Sequence, residues 1–318
     1  MSTEALLGAL RGASEATRLR ILALVSRAEL TVSELTRILE QSQPRVSRHL
    51  KVMCEAGLLN RIQEGSWAFY RLADRGTGAS TARSLIGLLE QERAGTARDL
   101  QRLALVQAEH VEEAAQYFRE NAAKWDMIRG LYMANEDVEQ AMIEAVGDGV
   151  QAHLDVGTGT GQVIRLLGHR VSRGLGIDAS REMLSVARAN LESAALAHCQ
   201  VRQGDLMALP IGDSSMDLVT IHHVLHFLDD PGGAVSEAAR TLRDAGTALI
   251  VDFAPHGIES LRDEHAHRRL GFDDNEVRAW CHTAGLENVR MQRFDNSARL
   301  GDQPLTVCLW HATRKPRS

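Results

Sequence analysis

Gly157-Thr158-Gly159-Thr160-Gly161 is the stretch that most narrows what this chain can fold into. It follows the apolar lead-in Leu154-Asp155-Val156 and precedes Val163-Ile164-Arg165-Leu166-Leu167, whose apolar spacing is that of a helix. A strand that turns this tightly into a helix opens a βαβ unit. Glycines there tolerate positive φ and bring no Cβ, so a nucleotide-sized ligand can lie against bare backbone. The surrounding chain is therefore expected to be α/β.

A glycine turn alone serves several nucleotides, and the residues downstream narrow the choice. Gly174-Leu175-Gly176-Ile177-Asp178-Ala179-Ser180 reads as a second strand ending in a carboxylate about 20 residues after the turn, the place of an acid that accepts ribose hydroxyls. Val201 to Leu206 forms a third unit ending in Asp205, which can receive an adenine amino group. Met216–Ile221 and Ala248–Phe253 supply a fourth and a fifth strand. Strands alternating with helices give a doubly wound, Rossmann-like sheet with its ligand over the carboxyl edge.

Histidines gather after the last two strands: His222, His223, His226 and His256, with Asp252 among them, then Arg262-Asp263-Glu264-His265-Ala266-His267-Arg268-Arg269. Imidazoles over that edge can act as bases, and His222, His223 and His256 are the catalytic candidates. His265-x-His267 with a carboxylate has the donor types of a metal site, but a lone histidine is more often structural. No resident metal is expected.

The amino-terminal region follows other rules. Residues 16–28 place apolar side chains at helical spacing, and Thr31-Val32-Ser33-Glu34 reads as a capping box opening a second helix. Ser42 is placed to cap a third, Gln43 to Ala56, closed by Gly57. This third helix carries Gln43, Arg45, Ser47, Arg48, His49 and Lys51 around the apolar stripe Val46, Leu50 and Met53. Amides and guanidiniums on one face suit base edges, and the cations suit phosphates. Two strand-like runs, Leu58 to Gln63 with Arg61 and Trp67 to Leu72, flank the Glu64-Gly65-Ser66 turn. Helix-turn-helix followed by a hairpin is a winged helix.

Charge divides along the same line. Residues 1–75 carry 11 Lys and Arg against 8 Asp and Glu, a net +3, while the whole chain stands at -6. A basic head on an acidic body points to a polyanion at the head alone, namely double-stranded DNA. Cys54, Cys199, Cys281 and Cys308 are far apart, so neither a disulfide framework nor a zinc knuckle is expected. The first thirty residues hold Glu4, Glu15 and Glu29 among short apolar runs, so no signal peptide or membrane partner is expected and the expected compartment is the cytoplasm.

Residues 16–72, with SQPRVSRHLKVMCEAGLL and a wing ending in FYRL, closely resemble the arsenical-repressor-like (ArsR-type) winged-helix family. Many of its members sense metals through a Cys-x-Cys in the preceding helix; Leu30 to Leu35 has no cysteine, which argues against metal sensing there. The resemblance implies DNA binding through Gln43, Arg45, Ser47, Arg48, His49, Lys51 and Arg61, and a homodimer joined through helices after the wing. His110-x-x-Glu113 is similar to the family's other metal site but reads as a solvated helix face.

Residues 112–314 resemble class I S-adenosylmethionine-dependent methyltransferases through LDVGTGTG, GIDAS, GDLMALP and DLVTIHHVLHFLDDP, in the family's order. By that resemblance Asp155, Gly157, Gly159 and Gly161 shape the methionine end, Asp178 the ribose, and Asp205 with Leu206 the adenine of S-adenosylmethionine or S-adenosylhomocysteine, with Ala179 also in the cofactor site. The expected organisation is a winged helix over 1–78, a helical linker and dimerisation segment over 79–111, and a methyltransferase domain over 112–318. The expected function is a DNA-binding transcriptional regulator with a cofactor-binding domain that senses its ligand. The alternative is a small-molecule methyltransferase, acting on a methyl acceptor, whose winged helix serves dimerisation or autoregulation.

Overall fold

The computed structural model describes residues 3–64, 67–73, 75–89, 96–122, 136–147, 149–300 and 303–316. The chain divides into two compact units, Met1–Glu112 and Glu113–Ser318. The wing tip Gly65-Ser66 and the Lys124-Trp125-Asp126 stretch lie outside the described residues.

The first unit begins with α1 (Thr3–Ala13) and α2 (Ala16–Val25), the latter opened by Glu15, whose carboxylate accepts from the Arg18 amide. After β1 (Leu30–Thr31), helix α3 (Val32–Leu39) starts in the expected capping box, with Thr31 and Glu34 each satisfying the other's backbone amide. Helix α4 (Gln43–Glu55) follows, then β2 (Leu59–Glu64) and β3 (Trp67–Leu72). Ser42 takes the N-cap position of α4 but makes no side-chain cap bond there. Pro44 in the first turn supplies the preset φ instead and removes one amide that would need a partner. The strands form an antiparallel sheet in the order β1-β3-β2, the winged-helix arrangement.

Fully buried Ile21, Leu22, Leu35, Ile38, Val46, Leu50 and Met53 fuse the three helices into one core. Two further helices follow, α5 (Gly76–Leu89) and α6 (Ala97–Asn121), and Leu103 and Val106 of α6 join that core. Asp99 of α6 is 3% exposed, yet its carboxylate stays charged-partnered because Arg20 donates to it from two nitrogens at 2.6 and 2.7 Å. This two-pronged contact to a buried carboxylate holds α6 in register against α2.

Gly78 marks where α5 touches bare backbone. A Cβ there would lie 2.2 Å from the carbonyl oxygen of Gly57, itself in the left-handed region at φ +67°. The obstructing atom is backbone and cannot rotate away. Gly78→Val is expected to destabilise the first unit by about 2–3 kcal/mol, read as a lower urea midpoint with an unchanged slope. Wild-type stability would refute the close crossing.

The second unit holds the last turns of α6 and, next among the described residues, α7 (Glu136–Ala145). Strands β4 (Ala152–Val156), β5 (Arg173–Asp178), β6 (Cys199–Gln203), β7 (Met216–His222), β8 (Leu242–Phe253), β9 (Leu286–Leu300) and β10 (Gln303–Arg314) form one sheet in the order β6-β5-β4-β7-β8-β10-β9. The first five are mutually parallel; β10 inserts antiparallel beside β8 and β9 closes the edge. Helices α8 (Gln162–Leu167), α9 (Arg181–Ser193), α10 (Pro231–Thr241), α11 (Ser260–His265) and α12 (Asp274–Thr283) connect them. Every residue of β4 is buried, as a central parallel strand covered on both faces requires. Strand order reverses between β4 and β5 on one side and β7 on the other, so the crevice for a ligand opens at the carboxyl end of β4.

Candidate functional site: a glycine turn, a histidine cluster and a basic helix

At the crevice, Gly157, Gly159 and Gly161 hold φ of +72°, +52° and +80°. A Cβ on Gly157 would lie 2.6 to 3.0 Å from the Val224 side chain, so this position takes no larger residue without moving the loop after β7. The turn is drawn back onto β5, the Gly157 and Thr158 amides both donating to the Ile177 carbonyl.

Asp178 ends β5 and faces that turn. One carboxylate oxygen accepts from the Gly159 amide and the other from the Ser180 amide, each at 2.8 Å. Burial nonetheless pushes its carboxyl above the ordinary range, against the pull of those amides. Ala179 beside it is exposed and its carbonyl accepts from Gln203. Asp205 is exposed after β6, with one oxygen accepting from the Met207 amide, while Leu206 is buried behind it. The two acids therefore stand over neighbouring strand ends, with an apolar wall between crevice and core.

Asp155 is the unexpected member. It is 1% exposed and belongs to a buried chain in which His153 Nε2 contacts Thr220 Oγ1 at 2.8 Å and Thr220 donates to Asp155 Oδ1 at 2.6 Å. Burial raises its pKa to about 6 and lowers that of His153 to about 3. Its Oδ2 is buried with no hydrogen-bond partner. A cationic group at the turn would satisfy that oxygen, and the ammonium of an amino-acid moiety is of the right chemistry. The residues at the β4, β5 and β6 ends thus fit an adenosyl amino acid: bare backbone, two acceptors for hydroxyl and amino groups, and a buried carboxylate.

Beyond the turn the histidines do come together. His223, just after β7, is 5% exposed and holds φ +52°, and its amide donates to Val251 on β8. His222 packs edge-on against it with ring centroids 4.5 Å apart. His226 Nδ1 lies 2.7 Å from Oδ1 of Asp252, which is fully buried. A carboxylate only accepts, so the hydrogen of this bond sits on Nδ1. His267 stacks on His226 at 4.1 Å, and Phe118 on Phe227 closes the apolar side at 4.8 Å. His256 stands farther off, its Nδ1 accepting from the Ile258 amide. Of the three catalytic candidates, His223 is inside the cluster, with His222 beside it and His256 at its margin. The His226–Asp252 pair joins the 3-10 turn after β7 to the end of β8, and its partners, 26 residues apart, are not paired by any sequence spacing. His265 is also removed from the cluster's interior: its Nδ1 meets the Tyr117 hydroxyl at 2.6 Å.

Burial lowers the His256 pKa to about 4 and that of His267 well below the usual value. The unfolded chain binds those protons near pH 6.5 and the folded one only lower, so stability is present above that value and is lost as pH falls toward 4. For His256 alone the loss is on the order of 3 kcal/mol. His256→Gln is expected to flatten the fall of the unfolding midpoint between pH 6.5 and 4. An unaltered pH profile would contradict a buried neutral imidazole at this position.

In the first unit, Gln43, Arg45, Arg48 and Lys51 are exposed along one face of α4, opposite buried Val46, Leu50 and Met53. Ser47 is half-buried. Lys51 is in loose i,i+4 contact with Glu55 at 3.9 Å. His49 departs from the row: it turns to Glu15, 3.6 Å away, and burial lowers its pKa. Arg61 on β2 is exposed and donates to Gln63. His110 Nε2 rests 3.2 Å from Glu34, the capping-box acid, so it supports a helix end.

Comparison with known proteins separates the two units cleanly. The model of the bacterial regulatory protein arsR family matches residues 15–61, and that of a methyltransferase domain matches residues 154–250. The first unit is thus similar to the arsR family and the second to methyltransferase domains, each over part of its length. Arsenic resistance transcriptional regulator ArsR1 of Pseudomonas putida is 51% identical over 57 residues, 18% of this chain and 44% of the relative. Uncharacterized methyltransferase YcgJ of Bacillus subtilis is 34% identical over 103 residues, 32% of this chain and 41% of the relative. This chain therefore spans less than half the length of either relative. Among solved structures, the complex between the Haloferax volcanii Trm112 methyltransferase activator and the putative methyltransferase aligns with a TM-score of 0.54 at 22% identity, covering 64% of this chain and 99% of that one. At that identity the likeness establishes the fold of the methyltransferase-like unit. No helix among the described residues is long and apolar enough to cross a membrane.

Proposed function

We propose that this protein is a transcriptional regulator that binds double-stranded DNA through α4 and β2 as a cytoplasmic homodimer, and binds S-adenosylmethionine or S-adenosylhomocysteine at the glycine turn. The observation that carries the reading is the coexistence, in one chain, of an exposed basic recognition face and a nucleotide cradle with Asp178 set against Gly159. Arg45 and Arg48 read base edges or phosphates, and Arg61 reaches the backbone flanking the groove. Asp178 holds the ribose, Asp205 the adenine, and Asp155 with the three glycines the amino-acid end. The bound cofactor supplies an activated methyl group; the chain's own residues bind and orient it and keep water from its sulfonium side.

Sensing requires that the cofactor bind one DNA-affinity state better than another, because a ligand indifferent to both shifts nothing. Helix α6 runs from Ala97 to Asn121: Leu103 and Val106 belong to the first unit's core, while Tyr117 bonds to His265 and Phe118 packs on Phe227 in the second.

A second reading is favoured by one specific observation. The His226–Asp252 pair fixes an imidazole beside the loop that packs on Gly157, which is where a methyl acceptor's proton would be taken. Incubating the full chain with methyl-labelled cofactor and small-molecule fractions separates the two. Labelled product that disappears in His226→Gln supports an enzyme. Cofactor binding without transfer to any fraction supports a regulator only.

A further inference from the structure

We propose that His223, His226 and Asp252 form a binding site for a zinc-class divalent metal ion beside the glycine turn. This inference does not depend on cofactor binding or on DNA binding. One ligating atom from each of the three residues lies within 4.8 Å of the other two, and all three side chains are buried. A tetrahedral ion with bonds of about 2.0–2.1 Å holds its ligand atoms roughly 3.3 Å apart. Small side-chain rotations close that difference. Two imidazoles and a carboxylate are the donor set that zinc and its neighbours take, and three protein ligands leave the fourth position for water or a ligand oxygen or nitrogen.

Three features of this chain point the same way. Asp252 is 0% exposed, and while Oδ1 accepts from His226 and from the Phe253 amide, Oδ2 is buried with no hydrogen-bond partner. A carboxylate oxygen so placed is costly unless a cation completes it. The arginines of the next segment are committed elsewhere: Arg262 to Glu259, Arg268 to Asp229 and Arg269 to Glu276. His223 holds its ring in the cluster from a left-handed backbone, φ +52°, a conformation that costs a non-glycine residue on the order of 1–3 kcal/mol. The walls are Phe227, Phe253 and the stacked ring of His267, so the ion sits in a dry pocket. On binding, the His226 hydrogen moves from Nδ1 to Nε2, the other neutral tautomer, so that Nδ1 and Asp252 Oδ1 become available to the ion with no net change in the protons held.

The test uses the untagged full chain, stripped with chelator and dialysed, and zinc ions alone in competition with a chromophoric chelator. One equivalent bound per chain is expected, weakened at least tenfold in His223→Gln and in Asp252→Asn and unchanged in His110→Ala, whose imidazole lies in the first unit. A folding-independent arm uses cobalt(II): His223→Cys should gain a thiolate-to-cobalt charge-transfer band in the near ultraviolet that the wild type lacks. No competition by the wild type, unweakened binding in both His223→Gln and Asp252→Asn, loss of binding in His110→Ala, or a His223→Cys cobalt spectrum without the new band would each overturn the assignment.

Discussion

Asp178→Ala is expected to weaken S-adenosylhomocysteine binding at least 100-fold in calorimetric titration. Two losses combine. The carboxylate is the acceptor proposed for the ribose hydroxyls, and hydrogen bonds to charged groups contribute about 1.5–3 kcal/mol each. It also holds the turn itself, since Gly159 and Ser180 amides both donate to it at 2.8 Å and would be left without their acceptor. An unsatisfied buried amide costs about 1–3 kcal/mol more. Asp178→Asn should fall between, because an amide oxygen can keep one of the two backbone bonds but lacks the charge. Affinity of the alanine variant within threefold of wild type would remove the ribose assignment.

Arg48→Ala is the second large effect, expected in DNA binding and not in cofactor binding. Arg48 is exposed on α4, in line with Arg45 and Lys51 and opposite buried Val46 and Leu50, so its truncation leaves the first unit's core intact. A guanidinium on a base edge contributes about 1–3 kcal/mol, or roughly 10- to 100-fold in affinity, and relaxes sequence preference at one position. A guanidinium on phosphate weakens all sequences alike and lowers the salt slope by about 1. Fluorescence anisotropy on a DNA site selected by the full chain from a random pool, repeated across salt concentrations, reads either result. Unchanged affinity and slope would show that α4 is not the reading helix.

Much of the architecture was written in local pattern. The capping box Thr31–Glu34, the apolar stripe Val46-Leu50-Met53 and the hairpin spacing each specify backbone within a few residues, and all three stand in the structure. The glycine turn and the strand-end acids were legible for the same reason, since φ sign and strand termini are near-neighbour properties. What escaped is what depends on long-range pairing. Strands β9 and β10 carry too many charged and polar residues, Arg290, Gln292 and Arg293 among them, to read as a sheet edge. They became strands because β8 offered a pairing edge to Val307, Leu309 and Trp310.

The site divides in the same way. Asp178 and Asp205 were placed by strand ends, whereas the buried chain His153–Thr220–Asp155 and the pair His226–Asp252 arise only when β4, β7 and β8 lie side by side. His49 adds a long-range contact that spacing does not show: helical spacing puts it on the reading face, and Glu15 at a neighbouring helix cap lies 3.6 Å from its ring. Ser42 sits where a cap belongs, and Pro44 in the first turn is what opens that helix.

The most direct measurement of the central proposal is a titration of the selected DNA site with the full chain, with and without saturating S-adenosylmethionine and, separately, S-adenosylhomocysteine. A shift of at least fivefold in DNA affinity with one of them, about 1 kcal/mol or more of coupling, absent in Asp178→Ala, is the predicted result. Superimposable isotherms under saturating cofactor would contradict sensing.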